Sequence, residues 1–223
     1  MSNISTHELN VINKCINKIA KGRDVVAACI YGSRIAGYNR PNSDIDLLIV
    51  LQSYPYVVEY MYFKESGTKV SALAVDREAL LRDAKSAFLG EFVVGRLLHI
   101  YKPIVNADFF AMVEFAYKRR VILEEVDDVL QCTGVLSTEI IFPLEFVVYS
   151  KIKHRMSMHP SATYSYYKTY TTNKLNIEFA LQGYRRALMD IIAEDKGLFA
   201  ITQDDLFCRY QRTAYLKKKE GCA

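Results

Sequence analysis

The sequence predicts an α/β fold of the α+β kind. A small mixed β-sheet domain spans residues 1–105 and an α-helical domain spans residues 106–223. Two patterns carry that expectation. Short apolar runs rich in β-branched residues concentrate in the first half, at 25–31, 44–50, 57–63 and 69–75, where they read as strands. The second half instead holds long stretches with apolar residues at helical spacing. Between them, Pro103 and the polar Asn106-Ala107-Asp108 stretch mark the boundary.

Taken in order, Ser5 opens a helix, because Ser5-x-x-Glu8 is a capping box and Leu9, Ile12, Ile16 and Ile19 follow at helical spacing. Lys21-Gly22-Arg23 stops it. Val25 to Tyr31 reads as a buried strand, closed by Gly32-Ser33. A polar stretch with Gly37, Asn39, Pro41 and Asn42 leads to a second strand, Asp44 to Val50. Val57 to Phe63 and Lys69 to Val75 make a hairpin about a short linker containing Ser66-Gly67. Arg77 to Lys85 is helical. Phe88, Phe92 and Leu97-Leu98 supply core, while Gly90 and Gly95 mark close packing. Helices follow at about 109–130, 143–159 and 175–194. Ser161 to Asn173 is rich in Tyr, Ser and Thr, and its tyrosines read as packing against the helical half, with base stacking beside Lys168 as the alternative. Ala200 to Tyr210 reads as a small strand pair.

Composition narrows the function classes. The 223 residues are 51% hydrophobic and 24% charged, which suits a folded chain with a sizeable core and excludes wholesale disorder. No apolar run reaches the roughly 20 residues that cross a bilayer, and the N-terminus lacks a signal-peptide pattern. No membrane partner and a cytoplasmic location are the expectation. The five cysteines are scattered with no Cys-x-x-Cys pair, and the four histidines do not cluster. A zinc site or disulfide framework is therefore not expected, and any metal falls to carboxylates. The net charge of +4 includes basic clusters at 118–120, 151–155, 185–186 and 217–219, which suit either a polyanion or solvated helix faces.

The chemistry concentrates between Tyr31 and Val50, in YGSRIAGYNRPNSDIDLLIV. Asp44 and Asp46, two residues apart on a strand, project from the same face. On an otherwise apolar strand, two such carboxylates repel each other and resist desolvation. A divalent cation relieves both costs, and magnesium binds one or two carboxylates together with substrate phosphates. Gly32 permits close backbone approach, and the Ser33 hydroxyl with nearby amides suits phosphate oxygens.

This stretch resembles the DNA polymerase beta-like nucleotidyltransferase superfamily, marked by Gly-Ser, a spacer of about ten residues, then Asp-x-Asp. The spacer here, Arg34 to Ser43, has ten residues. The pattern is especially similar to small, stand-alone prokaryotic members. The resemblance implies a two-metal magnesium site on Asp44 and Asp46, with Gly32 and Ser33 on the phosphates of a nucleoside triphosphate and Arg34 adding charge. It implies transfer of a nucleoside monophosphate, ATP being the expected donor, onto an acceptor hydroxyl with release of pyrophosphate. The acceptor stays open among an RNA 3′ end, a small molecule and a protein, and a homodimer through the helical half is compatible. In one respect the sequence departs from the family, which usually carries a third carboxylate on a neighbouring strand. Ser71 and Leu73 hold the mid-strand positions, leaving Asp76 as the expected third catalytic acid and Glu59 as a weaker candidate. Asp76 equally reads as the N-cap of the helix at Arg77. The rival reading is a degenerate nucleotide-binding or regulatory protein, or an antitoxin-like partner-binding one.

Overall fold

The computed structural model describes residues 4–134, 136, 140–158, 160, 163–194, 199–201 and 207–210. Helix α1 (Thr6–Ala20) begins at the Ser5–Glu8 capping box, in which each side chain bonds the other's backbone amide, and ends where Lys21 turns left-handed. Five strands follow: β1 (Val25–Tyr31), β2 (Ile45–Leu51), β3 (Val58–Glu65), β4 (Thr68–Asp76) and β5 (Lys102–Val105). They form one mixed sheet in the order β3-β4-β2-β1-β5, with β2 and β4 parallel and the other neighbours antiparallel. The one-turn helix α2 (Ser33–Ala36) separates β1 from β2. The β3–β4 hairpin is tighter than the sequence suggests, turning on Ser66 and Gly67 alone. Both have positive φ, the geometry that follows strand twist. Pro103 lies within β5, an edge strand, where a missing amide proton is tolerated.

Helix α3 (Arg77–Ser86) follows β4, and α4 (Ala107–Thr133), α5 (Leu144–Met158), α6 (Thr163–Thr171) and α7 (Lys174–Glu194) follow the sheet. The Tyr-rich segment is thus mostly helix α6. The short strand β6 (Phe142–Pro143) pairs with β8 (Phe207–Tyr210), which also pairs with β7 (Phe199–Ile201), so the expected terminal strand pair gains a third member. No described helix is long and apolar enough to cross a membrane.

Side-chain alternation divides the sheet between two cores. Ala28, Ile30, Leu47, Ile49, Val70 and Ala72 pack with α1. Cys29, Leu48, Val50, Leu73 and Val75 pack on the opposite face with α3, α4, α5 and α7. That second core runs without interruption from the sheet through Phe110, Val113, Val147 and Tyr184. Residue 105 therefore marks where the sheet ends, whereas the hydrophobic core continues past it.

The segment between α3 and β5 is organised by one buried acid. Asp83 is 0% exposed and accepts backbone amide protons from Leu89 (2.8 Å), Glu91 (3.0 Å) and Val94 (2.9 Å). Asp83→Ala leaves three donors unpaired in a dry interior. A loss of about 3 kcal/mol in urea unfolding is expected. A loss below about 1 kcal/mol would show that water replaces the carboxylate.

The clusters at 118–120 and 151–155 are partly internal, whereas Lys153 and Arg186 are exposed. Lys118 is fully buried against Glu114 (2.6 Å), Arg119 pairs with Asp190 (3.1 Å) and Glu194, and Arg120 pairs with Glu91 (2.7 Å) and Glu124. Lys151 and Arg155 are also buried, so neither lies on a solvated helix face; both pair with Glu91 in the core. The 217–219 cluster lies outside the described residues.

Candidate functional site

Strand β2 begins at Ile45, so Asp44 stands just before it and Asp46 is its second residue. Asp46 is in register with Tyr31 of β1 on one side and Ser71 of β4 on the other. Its alternation places it on the α4 side of the sheet, at the end where that core opens. Asp44 is reached by the Ser71 hydroxyl, which donates to its Oδ2. The two carboxylates are therefore brought to one place, as the strand periodicity requires.

Gly32 presses directly on Asp46. Its φ is +76°, and a Cβ placed there would lie 2.1 Å from Asp46 Oδ2 and 2.9 Å from Cγ. Only glycine gives both that backbone conformation and that approach. Ser33 follows at the start of α2, half-buried. Arg34 is engaged by Glu8 of α1 and by the Ser43 carbonyl (3.2 Å), which ties the loop before Asp44 to the first helix. What its guanidinium visibly does is hold that loop.

Asp46 is raised from the ordinary 3.8 to about 7, first by burial and then by the charge of Asp44, with Arg96 pulling the other way. Its side chain takes no hydrogen bond from any described residue. In the unfolded chain Asp46 ionises near 3.8, so its ionised form weakens the metal-free fold above pH 7. That penalty fades as pH falls from about 7 towards 3.8. Asp46→Asn is accordingly expected to stabilise the chain on the order of 2 kcal/mol at pH 8 in chelator, with no gain near pH 3.5. A thermal-melt series across pH checks this, and a destabilised variant at pH 8 would refute it.

The third acid does not come from the expected places. Asp76 caps α3, accepting from Glu78 N (3.0 Å) and Ala79 N (3.3 Å), and also takes the Tyr54 amide (3.0 Å). It sits five residues along β4 from Ser71, roughly 16 Å at strand rise. Its carboxylate is committed to helix and loop termini, which corrects its expected catalytic role. Glu59 lies opposite Ala74 and receives the Tyr54 hydroxyl, also away from the pair. The position beside Asp46 on β4 belongs to Ser71, 1% exposed. Among the described residues no three His, Cys, Asp or Glu side chains converge.

A cleft of about 160 Å³ opens between the carboxylate end of the sheet and α6. Gly32, Asp46 and Tyr60 line it from the sheet, with Arg96, His99 and Tyr166 opposite. Arg96 donates to the Tyr166 hydroxyl (3.2 Å) and lies over the Tyr31 ring at 5.4 Å. Arg155 donates to the same hydroxyl from beneath. His99 is held neutral, its pKa lowered to about 3 by burial and then by Arg155, Lys118 and Arg96. Neither ring nitrogen has a hydrogen-bond partner among the described residues. Arg96 and His99 escape sequence reading because they sit inside an apolar segment legible only as core. Tyr166 and Tyr170 are buried, as the packing reading of the tyrosines expects, while Tyr167 is exposed.

With this geometry in place, residues 13–99 match the family described as polymerase beta, nucleotidyltransferase. That span runs from within α1 to the Arg96–His99 segment and includes both carboxylates. Among solved structures, the chain is similar to a nucleotidyltransferase-like protein from Exiguobacterium sibiricum. Identity is 10%, with 91% of this chain and 99% of that one covered at a TM-score of 0.33, too low to bear on the site. No curated protein matches the chain.

Proposed function

We propose that this chain, whose residues 13–99 carry a polymerase beta nucleotidyltransferase domain, moves a nucleoside monophosphate from a nucleoside triphosphate, ATP being the expected donor, onto an acceptor hydroxyl. The observation that carries this reading is the contact of Gly32 with Asp46: a glycine that no other residue can replace, set against a carboxylate that burial and Asp44 leave short of compensating charge.

The oxygen donors fit magnesium. Asp44 and Asp46 would hold one ion together with substrate phosphates, and such an ion stabilises the charge that builds on the attacking and leaving oxygens. A second ion has less support, because Ser71 stands where a third acid would serve it. Gly32 lets the β1 end approach the phosphates, and Ser33 supplies a hydroxyl there. Arg34, through Glu8 and Ser43, fixes the loop that delivers Asp44. In the reaction a bond forms between the acceptor oxygen and the α-phosphorus while the bond to the bridging oxygen breaks. Pyrophosphate leaves and the hydroxyl proton goes to solvent or to a carboxylate.

The test is pyrophosphate release from each of the four ribonucleoside triphosphates with magnesium, with Asp44→Asn/Asp46→Asn as control. Release by the natural protein alone supports transfer. Ser71 favours one rival, nucleotide binding without turnover. Triphosphate binding by calorimetry without release from any donor, whether RNA, small molecules or proteins are offered, would establish that rival instead.

A further inference from the structure

We infer that the open face of β3 and β4 beside Asp46 binds a single-stranded nucleic acid, stacking its bases on Tyr60 and Tyr62 and pairing its phosphates with Lys64 and Lys69. The identification of its 3′ hydroxyl as the acceptor rests on the transferase reading above. Strand register assembles this surface. Tyr62 lies opposite Ser71, Tyr60 opposite Leu73 and Lys64 opposite Lys69, and Ser71 is in register with Asp46. Alternation turns all of these to the Asp46 side, while Met61 and Phe63 turn to the α1 core.

Two features of this face lack a structural explanation. Tyr60 and Tyr62 are 61% and 55% exposed although they stand on a sheet face whose other apolar residues are covered. On β4 the covering core takes in Val75 and Leu73, but on β3 it reaches only Val58 and stops short of Tyr60. Lys64 and Lys69 are exposed directly opposite each other, a like-charge cross-strand pair that disfavours the hairpin. Neither forms an ion pair with a described residue. By contrast, Lys14 and Lys18 on the other side are held by Glu65, at 3.2 and 2.9 Å. Two flat rings about 6.7 Å apart on β3, continued by one cation along that strand and a second opposite it on β4, suit a polymer that repeats flat bases and anionic linkers. A small molecule would call for an enclosed pocket, and an ordinary protein acceptor has no such repeat of anions.

The sheet order makes the surface useful to the reaction. Gly32 follows β1, on one side of Asp46, and β4 and β3 lie on the other. In-line displacement sets the attacking and leaving oxygens on opposite sides of the phosphorus. With the leaving pyrophosphate towards Gly32 and Ser33, the acceptor approaches across Ser71 from the Tyr60–Lys64 face.

The experiment is fluorescence anisotropy with a labelled oligonucleotide of about 20 nucleotides, longer than a typical single-strand site. It is run as single-stranded RNA, single-stranded DNA and duplex, without triphosphate or magnesium. The natural chain is expected to bind single strands in preference to duplex. Tyr60→Ala/Tyr62→Ala is expected to weaken this roughly tenfold or more. Lys64→Ala/Lys69→Ala is expected to flatten the slope of log affinity against log salt by about 1.4, the release of two single-strand counterions. All four side chains are exposed, and circular dichroism verifies the fold of each variant. The inference is overturned if single strands do not bind, if duplex binds equally well, or if both double variants bind like the natural chain. Label from ATP entering protein rather than the oligonucleotide also overturns it. Because binding is read without chemistry, intact binding with no pyrophosphate release defeats the transferase reading and leaves this surface standing.

Discussion

Replacing Gly32 with alanine is expected to cut nucleotidyl transfer at least roughly 100-fold and to destabilise the fold by about 2–3 kcal/mol. Two effects add. At φ +76° and ψ −158° the backbone occupies a region essentially reserved for glycine, costing about 1–3 kcal/mol for any other residue. The new methyl would also stand 2.1 Å from Asp46 Oδ2, which real atoms do not tolerate, so either Asp46 or the β1–α2 turn must move. Movement of about 1 Å in a reacting geometry costs on the order of 100-fold in rate. Gly37→Ala isolates the second effect. Gly37 also has positive φ, +84°, but the nearest atom to an added Cβ is Asn173 Nδ2 at 3.7 Å. It should lose stability to backbone strain and keep its magnesium response. The readouts are thermal melts and the rise in Tm with added magnesium, alongside turnover. Equal magnesium responses in the two variants would show that the Gly32–Asp46 contact is incidental.

The same glycine shows how far the sequence could be read. Gly32 and Asp46 are 14 residues apart, yet their meeting follows from local rules. A strand ending in Gly-Ser and an antiparallel return beginning with Asp-x-Asp must bring the two together, and β1 against β2 does so with Tyr31 opposite Asp46. The capping box of α1 and the β3–β4 turn were legible for the same reason, since each depends on residues within a few positions. Asp76 shows the limit. Its place after a strand and before Arg77-Glu78 suits both a ligand and an N-cap, and only the β2–β4 register puts Ser71 beside Asp46. The cleft wall was less legible still. Arg96 and His99 come from one segment and Tyr166 from another 70 residues beyond Arg96, and a charged residue inside an apolar run carries no mark of the partner it will meet. Nor did the basic clusters reveal which acids on other elements they would meet, as Asp190 on α7 meets Arg119.

Glu91→Gln is expected to cost about 3–5 kcal/mol, the largest stability loss available to a single polar substitution here. Glu91 is 4% exposed and receives Lys151 Nζ at 2.6 Å, Arg120 Nη2 at 2.7 Å and Arg155 Nη1 at 3.6 Å, with the Tyr117 hydroxyl at 3.3 Å. Its neutral isostere keeps the shape but leaves three buried or nearly buried cations without their shared anion. Burial alone would raise the Glu91 carboxyl. Lys151 and then Arg120 outweigh that and hold it below its ordinary 4.5. The stabilisation is therefore complete above pH 4.5 and lost as pH falls through the lower folded value. The natural chain should be the more acid-sensitive of the two, and the gap between them should narrow below that pH. Lys151→Met added to Glu91→Gln removes one stranded cation and should recover part of the loss, a coupling that a double-mutant cycle in urea reads directly. A cost under about 1 kcal/mol at pH 7, or no coupling with Lys151, would mean that solvent reaches the network. The consequence extends to the cleft. Arg155 donates both to the Glu91 carbonyl and to the Tyr166 hydroxyl that Arg96 also meets. Gly95 leaves room for that guanidinium, since a Cβ there would lie 2.1 Å from its Cζ. Through Arg155, the buried carboxylate fixes where the cleft wall stands relative to Asp46, so Glu91→Gln should loosen that wall as well as the fold.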